Sequence, residues 1–394
     1  MMSNTKCAVV GVGMTPFGKW ADQSLRQLCE AAVRQALADA DLSPGQVEQV
    51  FFANAAAGLV TGQEMIRGQA ALRHAGLLGL PIVNVENACA SGSSALNLAV
   101  ALIESGRLET ALVVGAEKLT HQDKRVSLGV FGSAVDLEEK PSGAEARGNG
   151  SLFMDIYARK TREFMRKTGV QKEDFARVVV KSRRAASLNP NAQFREPMTI
   201  EEVLAARTVS DPLTLPMCSP IGDGAAALLL CSAEFAKKQS LKNRVWVGAS
   251  VMISGLATEG AEPCAQTAAR LAYEQAGVAP ADLDVVELHD ASAPAELMHY
   301  ENLGLCAPGD SASLLRSGAT DLDGRVSVNP SGGLLSRGHP LGATGVAQVC
   351  ELAWQLRGMC GPRQKRNARV ALAENNGGQM GPDAAAAVAT ILHV

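Results

Sequence analysis

At 394 residues, with 47% hydrophobic, 20% charged and 4% aromatic residues and 38 glycines, the chain exceeds a single core and is too apolar for disorder. This is the composition of an α/β protein of two domains or two fused halves. A net charge of −3 with scattered basic residues excludes an electrostatic footprint for nucleic acid or an anionic membrane, and nine cysteines in a chain without an export signal argue for reduced thiols in a cytoplasmic protein.

The opening MMSNTKCAVVGVGM is too short and too Gly-broken for a signal peptide or membrane anchor and reads as the first strand. Residues 31–54, AAVRQALADADLSPGQVEQVFFAN, read as an amphipathic helix, a proline turn and a β-branched strand. Next, NACASGSSALNLAVALIESG turns through small residues into a helix, apolar on nearly every face over 93–104, and TALVVGAE follows as a strand. Residues from about 120 to 208 break this periodicity with VDLEEKPSGAEARGNG and KSRRAASLNP, an insertion expected to form a lid or binding loop.

The chain then repeats itself. AARLAYEQAGVAPADLDVVELHD, residues 268–290, matches residues 31–54, with Pro280 answering Pro44 and Val286 answering Val50. SGGLLSRGHPLGATGVAQVCELAWQLRG, followed by ARVALAEN, matches the second unit, and Gly106 and Gly358 stand where a helix C-terminus favours glycine. Repeats in the same order, half a chain apart, predict two similar α/β halves, 1–245 and 246–394. Central helices this apolar belong between layers, in an α/β/α/β/α arrangement.

Candidate chemistry falls on the turns. Cys89, in ENACASGSS, fits either a small core residue or a nucleophile whose pKa a helix N-terminus lowers, with backbone N–H groups at hand for an oxyanion. His339, in SRGHPLGATG, fits either a surface-loop histidine or a base facing Cys89 across the pseudo-two-fold axis. His289 ends its strand and points toward the same rim, whereas His121, His299 and His393 read as structural or solvated. In ARVALAENNGGQMG, residues 368–381, Asn375, Asn376 and the glycines after them fit a plain turn or a site that needs amides and bare backbone.

NACASGSSA, NPSGGLLSRGHPLGATG and the terminal Gly-rich turn resemble the three motifs of the thiolase family, and His289-Asp290 resembles the His-Asp motif of its sterol-carrier-protein-type branch. The resemblance covers nearly the whole chain, and CSPIGDGAAALLL supports it. It implies the five-layered thiolase fold of two βαβαβαββ halves, with CoA and acyl-CoA as substrates and no metal or other cofactor. It also implies Cys89 as the acylated nucleophile, His339 as its activator, the N–H groups of Cys89 and Gly377 on the thioester oxygen, and His289 with His339 on an enolate oxygen. Lys181, Arg183 and Arg184 then fit either a solvated helix face or cations meeting CoA phosphates.

The sequence departs from the family at its second thiol. Asn375 stands where the degradative and biosynthetic branches place a cysteine, and Ala291 where the sterol-carrier-type branch does. An amide cannot shuttle protons, so Asn375 is expected to orient a water or a substrate group, and protonation falls to His289, Cys218 or an ordered water. The reading is a C-acyltransferase that cleaves a 3-oxoacyl-CoA thiolytically or runs the reverse Claisen condensation. A decarboxylating 3-oxoacyl synthase-like enzyme and a non-catalytic subunit of an acyl-CoA complex are the alternatives. The resemblance further implies a homodimer or tetramer and permits a small zinc-ribbon and OB-fold accessory protein.

Overall fold

The computed structural model describes residues 6–138 and 152–394. Most of the acidic, Gly-rich part of the expected lid, from residue 139 to 150, lies outside the described residues. Five strands of the ten-stranded sheet come from the first part of the chain: β1 (Cys7–Met14), β2 (Gln49–Ala53), β3 (Ile82–Val85), β4 (Thr110–Glu117) and β5 (Gly224–Ser232). Five more follow: β6 (Val245–Ser254), β7 (Val285–Glu287), β8 (Ser327–Val328), β9 (Val370–Gly377) and β10 (Ala386–His393). The two sets share one spatial order, β3-β2-β4-β5-β1 and β8-β7-β9-β10-β6. They meet where β1 pairs antiparallel with β6, through Ala8 opposite Trp246 and Val9 opposite Val245. The repeat seen in the sequence is thus a repeat of topology.

Within each set the parallel pairs, β2 with β3 and β4 and β7 with β8 and β9, surround the short central strand. The longer strands beyond them pair antiparallel. Helix α1 (Leu25–Ala40) starts at a capping box in which Ser24 accepts from Gln27 N–H, and it packs outside β1 and β5. The matching outer helix of the second set, α5 (Cys264–Ala276), packs outside β6 and β10. Between the two strand sets, touching both, lie α2 (Ser91–Glu104) and α7 (Leu341–Leu356), giving five layers.

The middle layer follows from composition. Helix α7 carries one charge, Glu351, whose carboxylate is tied to Arg363 at 3.1 Å. Its Val346, Ala347, Leu352 and Ala353 are fully buried, and each large one contributes roughly 1.5–3 kcal/mol on leaving water. Gly106 and Gly358 follow α2 and α7 with φ of 73° each, the left-handed geometry that ends a helix. The insertion contributes α3 (Leu152–Thr168) and α4 (Lys172–Ser187), which roof the site together with α6 (Ala293–Asn302). No described helix is long and apolar enough to cross a membrane.

Candidate active site

A cavity of about 1280 Å³ opens where the two central helices begin, and Cys89, His289, His339, Asn376, Gly377 and Gly378 form part of its wall. Cys89 sits in a single tight turn, residues 88–90, directly before α2. Ala88 holds φ at 48°, a costly region for a residue with a Cβ, and the turn is pinned from both sides: Ala88 N–H donates to Glu86 Oε1 at 2.6 Å, and Ser91 Oγ donates to Ala88 O at 2.6 Å. The end of β9 presses on this turn so closely that a Cβ at Gly377 would lie 2.1 Å from Asn87 O. Bare backbone is therefore required at Gly377, which answers part of what the Asn-Gly stretch is for.

The Cys89 sulfur and a ring nitrogen from each of His289 and His339 lie within 4.8 Å of one another. The two imidazoles stand edge to face, centroids 5.2 Å apart. Their partners set opposite tautomers. The Thr344 hydroxyl spends its one hydrogen on Pro340 O at 3.0 Å, so at 2.7 Å it accepts from His339 Nδ1–H, and His339 keeps a bare Nε2. Asn375 accepts the Ser93 hydroxyl on Oδ1 at 2.8 Å and turns Nδ2 toward His289 Nδ1 at 2.9 Å, so that ring accepts there and carries its proton on Nε2. One histidine is thus equipped to take a proton and the other to donate a hydrogen bond.

Buried carboxylates hold these turns in register. Glu117, at the end of β4, accepts N–H groups from Ala55, Ala56 and Gly342, tying the first half to the His339 turn. Asp290 accepts from Leu334 N–H at 2.7 Å, anchoring the wide turn Gly333–Arg337 ahead of His339, while Glu374 accepts His289 N–H at 3.0 Å. In the His-Asp dipeptide, one residue faces the cavity and the next fastens the neighbouring turn.

Burial dominates the electrostatics. Desolvation, with the Glu117 charge adding to it, pushes the Cys89 thiol up to about 12, although N–H groups of Gly378 and of Cys89 itself pull the other way. The thiolate expected from the helix terminus is therefore outweighed. Burial, then Arg337, lowers His339 to about 3, and burial, then His339, holds His289 well below its usual value. The resting site contains a neutral thiol and two neutral imidazoles, so proton transfer from Cys89 to His339 Nε2 has to accompany bond formation at the sulfur.

Asn375 does not face water or substrate as expected: it is fully buried, outside the cavity wall, and acts on His289 from behind. Asn376 is the one that lines the cavity. Among the basic residues considered for CoA, only Arg183 reaches the wall, stacked on Phe194 at 4.3 Å. Lys181 is buried and paired with Glu296 at 2.6 Å, and Arg184 is paired at the surface with Asp321; neither lines the cavity. Cys218 lies in the wall and bridges to Ser292, beside Ala291. His299, read as structural or solvated, also lies in the wall. Thr344, Ser93 and Glu374 carry no mark in the sequence analysis; Thr344, five residues beyond His339 on the first turn of α7, is the one that spacing marks.

Residues 7–234 match the family described as "Thiolase, N-terminal domain" and residues 254–392 the one described as "Thiolase C-terminal domain-like". The chain is 40% identical over 391 residues to sterol carrier protein 2 of Homo sapiens, spanning 94% of this chain and 69% of that protein. It is 38% identical over 380 residues to an acetyl-CoA acetyltransferase of Methanothermobacter thermautotrophicus, spanning 95% and 97% of the two chains. Over 387 residues it is 37% identical to benzoylsuccinyl-CoA thiolase subunit BbsB of Thauera aromatica, spanning 96% of each.

Proposed function

Because the chain belongs to the thiolase family and is an acyltransferase of that kind, we propose that it cleaves a 3-oxoacyl-CoA thiolytically, or runs the reverse Claisen condensation, through an acyl group on Cys89. The observation that carries this is the Cys89 sulfur within 4.8 Å of a ring nitrogen of each histidine, with Thr344 on one ring and Asn375 on the other, partners that assign them opposite tautomers. His339 Nε2 takes the thiol proton as sulfur attacks the keto carbon. His289 Nε2–H then meets the enolate oxygen of the departing acyl-CoA, a donor preorganised where charge develops. In the second half, CoA takes the acyl group from Cys89. Arg183, at the cavity wall, is positioned to meet CoA phosphates.

A panel of 3-oxoacyl-CoA esters incubated with CoA tests the reading. The expected result is CoA-dependent cleavage of at least one ester, with the acyl mass trapped on the Cys89 peptide; no cleavage and no acyl-Cys89 with any ester would sink it. The alternative of a decarboxylating condensing enzyme is favoured by the two missing thiols, since loss of CO₂ needs no second thiol base. Release of CO₂ from malonyl-CoA without thiolysis would select that alternative.

A homodimer or tetramer forms part of the proposal. Strand β3 is a sheet edge, and Val83 on it, Leu78 before it and Leu98 beside it on α2 are exposed, Leu78 by 54%, an apolar edge of the kind that proteins cover. Light scattering is expected to give twice or four times the chain mass, and a monomer would contradict it. The relative BbsB is named as a subunit, in keeping with a partner chain here, which we take to be the small accessory protein and which co-purification in the same experiment tests. A cytoplasmic location rests on nine free cysteines.

A further inference from the structure

With Asn375 and Ala291 where thiols would stand, the site needs another group to give and take the proton at C2 of the acyl-CoA. We propose that His299, backed by Glu374, is that group, an inference that rests on the acyltransferase reading of the same cavity. His299 lies on α6 next to Met298, both in the cavity wall. Its Nδ1 is 3.6 Å from Glu374 Oε2, and its Nε2 is 3.3 Å from Asn376 Nδ2. Glu374 is fully buried, and the same Oε2 accepts His289 N–H. The side chains on this face of β9, Glu374 and Asn376, therefore serve His299, while Asn375 on the other face serves His289.

The cluster is short of protons. Glu374 Oε1, His299 Nδ1 and Asn376 Oδ1 are all buried without a protein hydrogen-bond partner, as at a site with a role beyond packing. A proton on His299 Nδ1 closes onto Glu374, and Nε2, beside the Asn376 amide, is then the ring nitrogen that gives and takes a second one.

In the cleavage direction, the Cys89 sulfur bonds to C3 and its proton rests on His339. The C2–C3 bond breaks with its electron pair moving into the thioester enolate, and the Nε2 proton of His299 ends on C2. In the acyl-enzyme the proton held by His339 passes through solvent to His299, which restores it. Incoming CoA then gives its proton to His339 as its sulfur takes the acyl group, and the departing Cys89 sulfur recovers a proton from His339. No other reactant is needed.

Acetyl-CoA in D₂O separates the two roles, because acetylation of Cys89 needs only the nucleophile and its base, whereas deuterium enters C2 only through the second group. The full chain is expected to do both. His299→Ala is expected to acetylate Cys89 within about twofold of the parent and to lose C2 exchange by on the order of 10²- to 10⁴-fold, with added imidazole restoring part of the exchange. Glu374→Gln, which keeps an oxygen for His289 N–H, is expected to keep acetylation and lose exchange. Exchange retained in His299→Ala would overturn the proposal, as would loss of acetylation together with exchange. A parent chain that never acetylates Cys89 would instead remove the acyltransferase reading itself.

Discussion

Replacing Cys89 with alanine is expected to lower acyl transfer by on the order of 10⁶-fold, the scale on which a nucleophile and its base fail as a unit, and replacing His339 is expected to cost nearly as much. The structure makes this dependence steep. Burial holds the thiol near 12 and His339 near 3, so no thiolate–imidazolium pair stands ready, and His339 Nε2 must receive the proton during attack. The same arrangement fixes how alkylation depends on pH. Cys89, Cys218 and Cys306 are half-buried and the other six cysteines are buried, so iodoacetamide can discriminate only among these three. Cys89 is expected to react first, at a rate flat from about pH 5 to 8, since His339 stays neutral down to about 3 and the thiol stays protonated up to about 12. His339→Ala should bring Cys89 down to the rate of Cys218 and Cys306. A rate rising tenfold per pH unit through that window would show free thiolate as the reacting species and contradict the assigned base, and full turnover in Cys89→Ala would leave the chain a scaffold.

Much of this was legible because the chain repeats. Cys89 and His339 occupy matching turns of two related units, and a pseudo-two-fold arrangement of such units brings matching turns together, as the 4.8 Å cluster shows. The layered fold followed from helices without a polar face. What stayed hidden depended on partners far along the chain. Lys181 sits in KSRR, which reads as a basic face, yet its ammonium meets Glu296 across a helix contact that no local pattern announces. His299 carries no motif, and its role rests on Glu374, 75 positions on, whose side chain points from β9 toward α6 because strand residues alternate faces. Asn375 was misplaced for the same reason: the register of β9 turns it inward to Ser93 and sends Asn376 to the cavity. Cys89 was expected to be acidic because a helix terminus was weighed without the burial that outweighs it.

Asn375→Asp is expected to be more damaging than Asn375→Ala, the reverse of what similarity in size suggests. In the native site the amide donates to His289 Nδ1 and keeps the ring proton on Nε2, facing the developing enolate oxygen. Alanine removes that donor and frees the ring, and losing one preorganised hydrogen bond to a forming oxyanion costs on the order of 10²- to 10³-fold. A carboxylate at 375 does worse, because it can only accept: it draws the ring proton to Nδ1 and presents a lone pair of Nε2 to the oxygen that needs a donor. Forcing the wrong tautomer in a well-formed site costs on the order of 10⁴-fold in the serine protease triad, and a loss of that scale is expected here. Acetylation of Cys89 should survive in both variants, since His339 and its Thr344 partner are untouched. The space allows the test: a Cβ at Gly345 would lie 2.7 Å from Asn375 Oδ1, so the pocket is closed around that atom, and an aspartate there keeps the native outline. Steady-state cleavage, single-turnover acetylation and ¹⁵N shifts of His289 decide the matter. Should Asn375→Asp cleave faster than Asn375→Ala, or should the ring keep its Nε2 proton with aspartate in place, the opposite tautomers on which the division of labour rests would be wrong.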